Sequence, residues 1–149
     1  QESNADLVLI NHADLQFKPD LFFKNNLLSL ITLKKPMGIL PKRINRPIID
    51  RINSAFLRFL ISIVYFYKVT DFNGQPKLFS VNEIKDLDSL PNNFCIDLAL
   101  FRIFKDQSIV LPSVQIERYS GKSSWNEDFV KRITIFVEYL SYAIKKRNK

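Results

Sequence analysis

Two kinds of apolar pattern alternate along this chain. Short continuous apolar runs bounded by polar residues or proline predict buried strands, which fall at 6–10, 37–40, 78–81 and 108–118. Apolar residues recurring every three or four positions predict amphipathic helices at 19–31, 48–69, 93–105 and over the last part of the chain. Strands that alternate with helices favour an α/β arrangement of layers, with 6–10 as a central strand.

The last predicted helix has the clearest boundaries. Ser124 and Glu127 form a capping-box pattern, and Lys145, Lys146 and Arg147 lie where the negative end of the helix dipole attracts cations. We therefore divide the chain into a main unit, 1–124, and a C-terminal amphipathic basic helix, 125–149. Between the strand at 37–40 and the long helix, residues 42–47 are predicted to be a basic loop.

Charge is distributed unevenly. The chain carries a formal net charge of +7, and the segment 34–68 contains eight basic residues against one acid, Asp50. Such a segment favours phosphate, anionic lipid or nucleic acid, with a solvated basic face as the alternative. No nucleic-acid motif is present and the aromatic residues fall in apolar runs, so we do not expect nucleic-acid binding.

Cysteine and histidine limit the chemistry. Cys95 is the single cysteine, which excludes an intrachain disulfide, and His12 is the single histidine. A zinc site built from these two residue types is therefore excluded. Any metal has to be held mainly by oxygen ligands, which favours Mg or Mn.

Three segments stand out as candidate sites: HADLQ at 12–16, DFNGQPK at 71–77 and RYSGKSSW at 118–125. The first follows a predicted strand, where ligands bind in open α/β sheets, and its Asp14 and Gln16 are oxygen donors. The third places Arg118 and Lys122 before a helix start, which suits a phosphate. Taken singly, each is also explained as a helix cap, an ordinary turn or a surface loop.

The order of these features resembles the second half of family 2 glycosyltransferases, and in particular the dolichyl- or polyprenyl-phosphate sugar transferases. HADLQ-PD after a strand, a basic segment with a long helix, D-x-N-G-Q-P-K-x-F, F-x-x-D-L and R-x-x-G-K-S occur in the family's order over residues 6–125. The resemblance implies the C-terminal half of a GT-A fold, with a mixed sheet flanked by helices. It also implies that the nucleotide-binding half lies upstream of Gln1, so that the chain is a fragment or depends on a partner.

The resemblance assigns the metal and diphosphate site to the first segment. The family motif is Asp-Ala-Asp-Leu-Gln, and here it is His12-Ala13-Asp14-Leu15-Gln16. Asp14 and Gln16 match the positions that face Mg or Mn and the donor diphosphate. His12 replaces the first Asp, and a neutral imidazole ligates or donates a hydrogen bond without neutralising cation charge.

The other implied roles fall on later segments. Asp97, in FCIDL, matches an acidic position near the acceptor and is the predicted catalytic base, with an ordinary helix-surface Asp as the alternative. Because a phosphate acceptor is already an anion, a strong base is less necessary. The positions matching donor or acceptor phosphate contacts, or a loop bordering the active site, are Arg43, Arg51, Ser54, Asp71, Lys77, Arg118, Lys122 and Ser123.

The resemblance thus implies an inverting, metal-dependent enzyme that moves a sugar from a nucleotide-sugar to a polyprenyl-phosphate or glycan acceptor. The alternative is a truncated or inactive binding module of the same fold, favoured by His12 in the metal motif. We expect a cytoplasmic location, peripheral on the inner face of a membrane. The apolar segment 55–69 is too short and too charged for a span, which leaves a core helix or an interfacial helix. The basic end of the last helix is a second candidate for contact with anionic lipid.

Overall fold

A computed structural model describes residues 7–11, 20, 38–39, 42–80, 89–106, 115–117 and 129–147 of the chain. The strands in these ranges are β1 (Leu7–Ile10), β2 (Gly38–Ile39), β3 (Lys42–Ile44), β4 (Lys77–Ser80) and β5 (Gln115–Glu117). The helices are α1 (Ile48–Tyr65), α2 (Ile96–Asp106) and α3 (Phe129–Lys146). The protein is therefore of the mixed α/β class that the apolar pattern predicts.

The strands form two small sheets. β4 lies between β1 and β2 and runs antiparallel to both, whereas β3 and β5 pair in parallel. Among the described residues the central strand is β4, so the prediction that 6–10 is central is wrong for this sheet. Leu78 and Phe79 of β4 are both buried, which is expected of a strand covered on both faces.

The basic segment 42–47 departs from its prediction as a loop, because its first three residues form β3. Each residue of β3 has a partner in β5, from Lys42 opposite Gln115 to Ile44 opposite Glu117. The chain turns after the strand at Asn45, whose φ of 54° is in the left-handed region that asparagine tolerates better than most residues. The polar residues of β3 gave no strand pattern, because this strand forms through backbone pairing with a segment about 70 residues later in the sequence.

Helix α1 begins after Pro47, whose own φ is fixed and whose carbonyl accepts the first helical bond from the Arg51 N–H at 3.1 Å. It ends at Tyr65, four residues before its predicted end, because Phe66 adopts the left-handed conformation with φ 58°. Ser62 ties this end to the following chain: its hydroxyl donates to the Arg58 carbonyl at 2.7 Å and accepts from the Val69 N–H at 2.9 Å.

One hydrophobic core is shared by the three helices and the larger sheet. Helix α3, predicted as a separate C-terminal element, contributes Tyr139 and Ala143 to it and packs along α1. The inner residues of α1 and the apolar face of α2 fill the rest, with Leu57, Ile61, Tyr65, Leu98, Leu100, Phe101 and Phe104 all buried.

The two faces of α1 differ, and this bears on the segment 55–69. Leu57 and Ile61 are buried in the core, but Phe59 is 61% exposed and Ile63 is 53% exposed. The helix is therefore a core element on one side and an exposed apolar surface on the other. No helix among the described residues is long and apolar enough to cross a membrane.

Candidate functional site

A buried ion pair joins the start of β4 to the start of α2. Side chains alternate along a strand, so Lys77 and Phe79 share the face of β4 that α2 covers. Phe79 meets Phe104 of α2, with ring centroids 5.9 Å apart. Two helical turns earlier, the Asp97 carboxylate lies in the first turn of α2 and its Oδ1 is 2.6 Å from Lys77 Nζ. The positive end of the helix dipole favours a carboxylate at this place.

This pair is removed from solvent almost completely. The side chain of Lys77 is 0% exposed and that of Asp97 is 3% exposed. Burial lowers the pKa of Lys77 below its ordinary value, and the charge of Asp97 and its hydrogen bond oppose that shift. A cation in this position is an internal contact that fixes β4 against α2, and a phosphate reaching it would first have to displace the carboxylate.

The segment 71–77, predicted as a turn-rich loop at the site, is anchored along its length. Gln75 Nε2 donates to the same Asp97 oxygen at 3.2 Å, and the Gln75–Pro76 peptide bond is cis. The Gly74 N–H bonds the Asp71 carbonyl at 3.4 Å and closes the turn. Because Gln75 is itself 2% exposed, the turn is part of the interior and differs from an ordinary surface turn.

A second ion pair holds the beginning of the same segment. The Arg43 guanidinium grips Asp71 with two bonds, Nη2 to Oδ1 at 2.7 Å and Nε to Oδ2 at 3.0 Å. Burial by itself raises the pKa of Asp71, but the hydrogen bonds and charge of Arg43 outweigh burial and leave this pKa below its ordinary value. The paired N–H groups of the Arg43 guanidinium, which would suit a phosphate, therefore already bind the carboxylate of Asp71.

The third anchor comes from α3. The buried Tyr139 hydroxyl donates to Asn73 Oδ1 at 3.1 Å, and its ring packs edge-on against Phe72 with centroids 5.2 Å apart. Burial, with the nearby charge of Asp97, raises the pKa of Tyr139 well above 10, so the hydroxyl stays protonated and remains a donor. We call the seven residues of these contacts the polar cluster: Arg43, Asp71, Asn73, Gln75, Lys77, Asp97 and Tyr139.

Next to the polar cluster, α1 carries the other residues predicted to contact the acceptor phosphate. Ser54 is buried, and its hydroxyl accepts a hydrogen bond from Arg46 Nη2 at 2.9 Å. Arg46 also donates to the Asp50 carbonyl at 3.3 Å, so it spans the first two turns of the helix. Arg51 is exposed to solvent in the first turn of α1.

The structure brings four predicted site residues together in two pairs, Arg43 with Asp71 and Lys77 with Asp97. Arg51 and Ser54 lie on α1 and belong to neither pair. The remaining predictions fall outside the described residues: His12, Asp14 and Gln16 for the metal, and Arg118, Lys122 and Ser123 for the phosphate loop. Within the described ranges, no group of three or more His, Cys, Asp or Glu side chains could hold a metal ion.

Sequence reasoning missed three members of the polar cluster. Asn73 and Gln75 stand inside the DFNGQPK segment, where amide side chains next to a glycine and a proline mark a turn that needs internal hydrogen bonds. Tyr139 had no local signal, because its hydroxyl meets a partner 66 residues away in sequence and its ring fits the apolar period of α3.

The comparisons with known proteins add no relative: no family model, no curated protein and no solved structure matches this chain.

Proposed function

We propose that this chain is part of a metal-dependent glycosyltransferase that moves a sugar from a nucleotide-sugar to a polyprenyl-phosphate acceptor. One observation carries the proposal. Three segments that sequence order alone associated with this chemistry, the basic segment with α1, DFNGQPK and FCIDL, meet in space through the pairs Arg43–Asp71 and Lys77–Asp97. The partners are 28 and 20 residues apart in sequence, and the pKa values of Asp71 and Lys77 are both displaced, as is frequent at functional sites.

Within this proposal Asp97 is a positioning residue. Its Oδ1 accepts from both Lys77 and Gln75, so the carboxylate holds the turn that leads into β4. An acceptor phosphate arrives as an anion and needs orientation more than proton removal. The geometry thus favours Asp97 as the support of the DFNGQPK segment over Asp97 as the base that the resemblance implies.

The acceptor phosphate would lie near the start of α1. Arg51 is an exposed cation in the first turn, and the unsatisfied N–H groups of a helix start favour an anion there. Arg46 and Ser54 brace the same two turns from the buried side. In this arrangement Arg51 supplies the charge, while Arg46 and Ser54 fix the helix start from which Arg51 projects.

The donor end of the proposal rests on residues known only from the sequence. Asp14 and Gln16, with His12, would hold Mg or Mn, which supplies positive charge for the diphosphate leaving group. Arg118, Lys122 and Ser123 would close over the phosphates. A lipid-phosphate acceptor would place the reaction at a membrane surface, on the cytoplasmic side if the nucleotide-sugar comes from the cytoplasm.

A second candidate function is a binding module of the same ancestry without catalysis. The observation that favours it is the mutual satisfaction of the polar cluster, in which both cations already have carboxylate partners. In that case the cluster would stabilise the fold, and the chain would recognise an acceptor or a partner without transferring a sugar.

Binding of a short prenyl phosphate tests the acceptor site. We expect farnesyl phosphate to bind the full chain more tightly than farnesol in calorimetric titrations, because only the phosphate offers charge to Arg51. Arg51→Ala should weaken farnesyl phosphate binding roughly tenfold, the loss of one charge-assisted contact. Lys105→Ala, which removes an exposed cation on α2, is the matched control and should bind normally.

Equal binding of farnesyl phosphate and farnesol, or an Arg51→Ala variant that binds as the wild type does, would contradict the acceptor site. Transfer of labelled sugar from nucleotide-sugars to polyprenyl phosphate, measured on the whole protein to which this chain is proposed to belong, separates the two candidate functions. The enzyme reading expects a product that requires Mg or Mn and disappears in Asp14→Ala. Prenyl-phosphate binding without any such product supports the binding module.

A further inference from the structure

The outer face of α1 is an uninterrupted apolar stripe. Its members follow one another at alternating spacings of three and four residues, which places them on one side of a helix over about 25 Å. Each is more than half exposed. We call these residues the outer stripe: Ile49, Ile52, Phe56, Phe59, Ile63 and Phe66. Single exposed apolar residues are ordinary, but a continuous exposed row of this length marks a contact surface.

The end of α3 extends this surface. The guanidinium of Arg147 lies 4.4 Å from the centroid of the Phe66 ring, so the last turns of α1 and α3 meet at one end of the outer stripe. Ile144, one turn before Arg147, is 62% exposed. An arginine stacked on an exposed aromatic ring places a cation directly beside apolar surface. Proteins at a membrane surface have the same arrangement, with cations at the level of the headgroups and apolar side chains below them.

The exposed charges that the structure describes on α1, just after it and in the last two turns of α3 have one sign. Arg51 on α1, Lys68 just after it, and Lys145 and Arg147 at the end of α3 are all exposed. Asp50 is the single acid of α1, and it is buried. An apolar face edged by exposed cations is complementary to a surface that combines acyl chains with negative headgroups.

We infer that the outer stripe docks in the interface of an anionic lipid bilayer, with α1 lying on the membrane. A second copy of this chain is a poorer occupant, because a self-contact along the stripe would bring its cations close to those of the partner. The inference concerns membrane binding alone and holds whether or not the chain transfers a sugar.

Sedimentation with sucrose-loaded vesicles tests this docking without nucleotide or acceptor. We expect the full chain to sediment with vesicles of phosphatidylcholine and phosphatidylglycerol, and much less with phosphatidylcholine alone or at high salt. Phe56→Ser/Phe59→Ser should weaken binding to the anionic vesicles roughly tenfold or more. Lys68→Gln/Lys145→Gln should reduce the preference for anionic vesicles.

Phe94→Ser is the matched control, since Phe94 is 51% exposed but lies before α2 and outside the outer stripe; it should bind as the wild type does. Circular dichroism and thermal midpoints establish that each variant is folded. The inference is overturned if the wild type does not sediment with anionic vesicles, or if Phe94→Ser weakens binding as much as Phe56→Ser/Phe59→Ser does. It is likewise overturned if light scattering shows a dimer that Phe56→Ser/Phe59→Ser converts to monomers while vesicle binding is absent.

Discussion

Charged side chains are ordinarily exposed and apolar side chains buried. The polar cluster and the outer stripe both depart from this rule, in opposite ways. In the polar cluster, Lys77 and Asp97 are withdrawn from solvent in contact with each other. On the outer stripe, Phe59 and Phe66 are 61% and 74% exposed. The two regions are close in the chain, because α1 follows β3 and precedes the DFNGQPK segment.

Neither region is explained by stability alone. A buried ion pair is often no better for stability than apolar residues of the same size, and an exposed apolar row gains nothing from folding. Each region therefore indicates a role beyond stability. The polar cluster fixes the geometry of the chain around it, and the outer stripe contacts a partner. Helix α1 itself has two unlike faces, with Ser54 on the buried side and Phe56 of the outer stripe on the exposed side.

The largest effect is expected from breaking the buried pair on one side only. Lys77→Met leaves the Asp97 carboxylate buried without its cation and should lower the free energy of unfolding by about 3–5 kcal/mol. Lys77→Met/Asp97→Asn removes both charges and keeps an acceptor for Gln75, so it should recover most of that loss. Urea unfolding of the single and double variants measures the coupling. Additive losses in the double variant would show that the two charges do not stabilise each other.

The contrast between the two faces of α1 can be measured with one substitution at two positions. Ile61 is 0% exposed and Ile63 is 53% exposed, so Ile61→Ala leaves a cavity while Ile63→Ala removes solvated surface. We expect a loss of about 2–5 kcal/mol for Ile61→Ala and a change within about 0.5 kcal/mol for Ile63→Ala. Equal losses at both positions would mean that the outer stripe is covered in solution, which would contradict its exposure.

The smallest of the three effects concerns the Arg43–Asp71 pair, which lies nearer to solvent. Asp71→Asn should cost about 2 kcal/mol at neutral pH, because the Arg43 guanidinium loses its charged acceptor. The pKa of Asp71 is lower in the folded chain than its ordinary value of 3.8, so the pair stabilises the fold above that pH. This contribution is lost as the pH falls through the lowered pKa, and the difference between wild type and Asp71→Asn should shrink there.

Unfolding midpoints of both proteins over a range of acidic pH check this dependence. Asp20→Asn, which changes an exposed aspartate, serves as the control and should differ little from the wild type at any pH. A difference between Asp71→Asn and the wild type that stays constant down to low pH would show that the carboxylate of Asp71 is not the stabilising group.

The apolar period of the sequence predicted the described helices well, and for clear reasons. Pro47 marks the start of α1 because its fixed φ suits a helix entrance, and three- and four-residue spacings set the apolar faces of α1 and α3. The strand β3 was missed because its residues Lys42 and Arg43 are polar. A short strand that pairs with a distant segment carries no alternating pattern of its own.

The candidate site was likewise predictable only in part. Asp71, Lys77 and Asp97 could be selected from the sequence, because the order of the DFNGQPK and FCIDL segments that contain them resembles that of motifs in a known enzyme family. Their pairing could not be predicted, since Lys77 has several acids at comparable sequence distances. The choice among them depends on which helix covers the face of β4 that Lys77 shares with Phe79.

By itself, the sequence determined the helices, the positive charge around α1 and the tight turn at 71–77, because each follows from short-range sterics, side-chain period or composition. The tertiary structure alone decided that Lys77 is buried against Asp97, that Arg43 holds Asp71, and that one face of α1 remains outside the core. These features depend on packing between segments 20 or more residues apart, and the free energy of a buried charge or an exposed apolar face is set by what surrounds it.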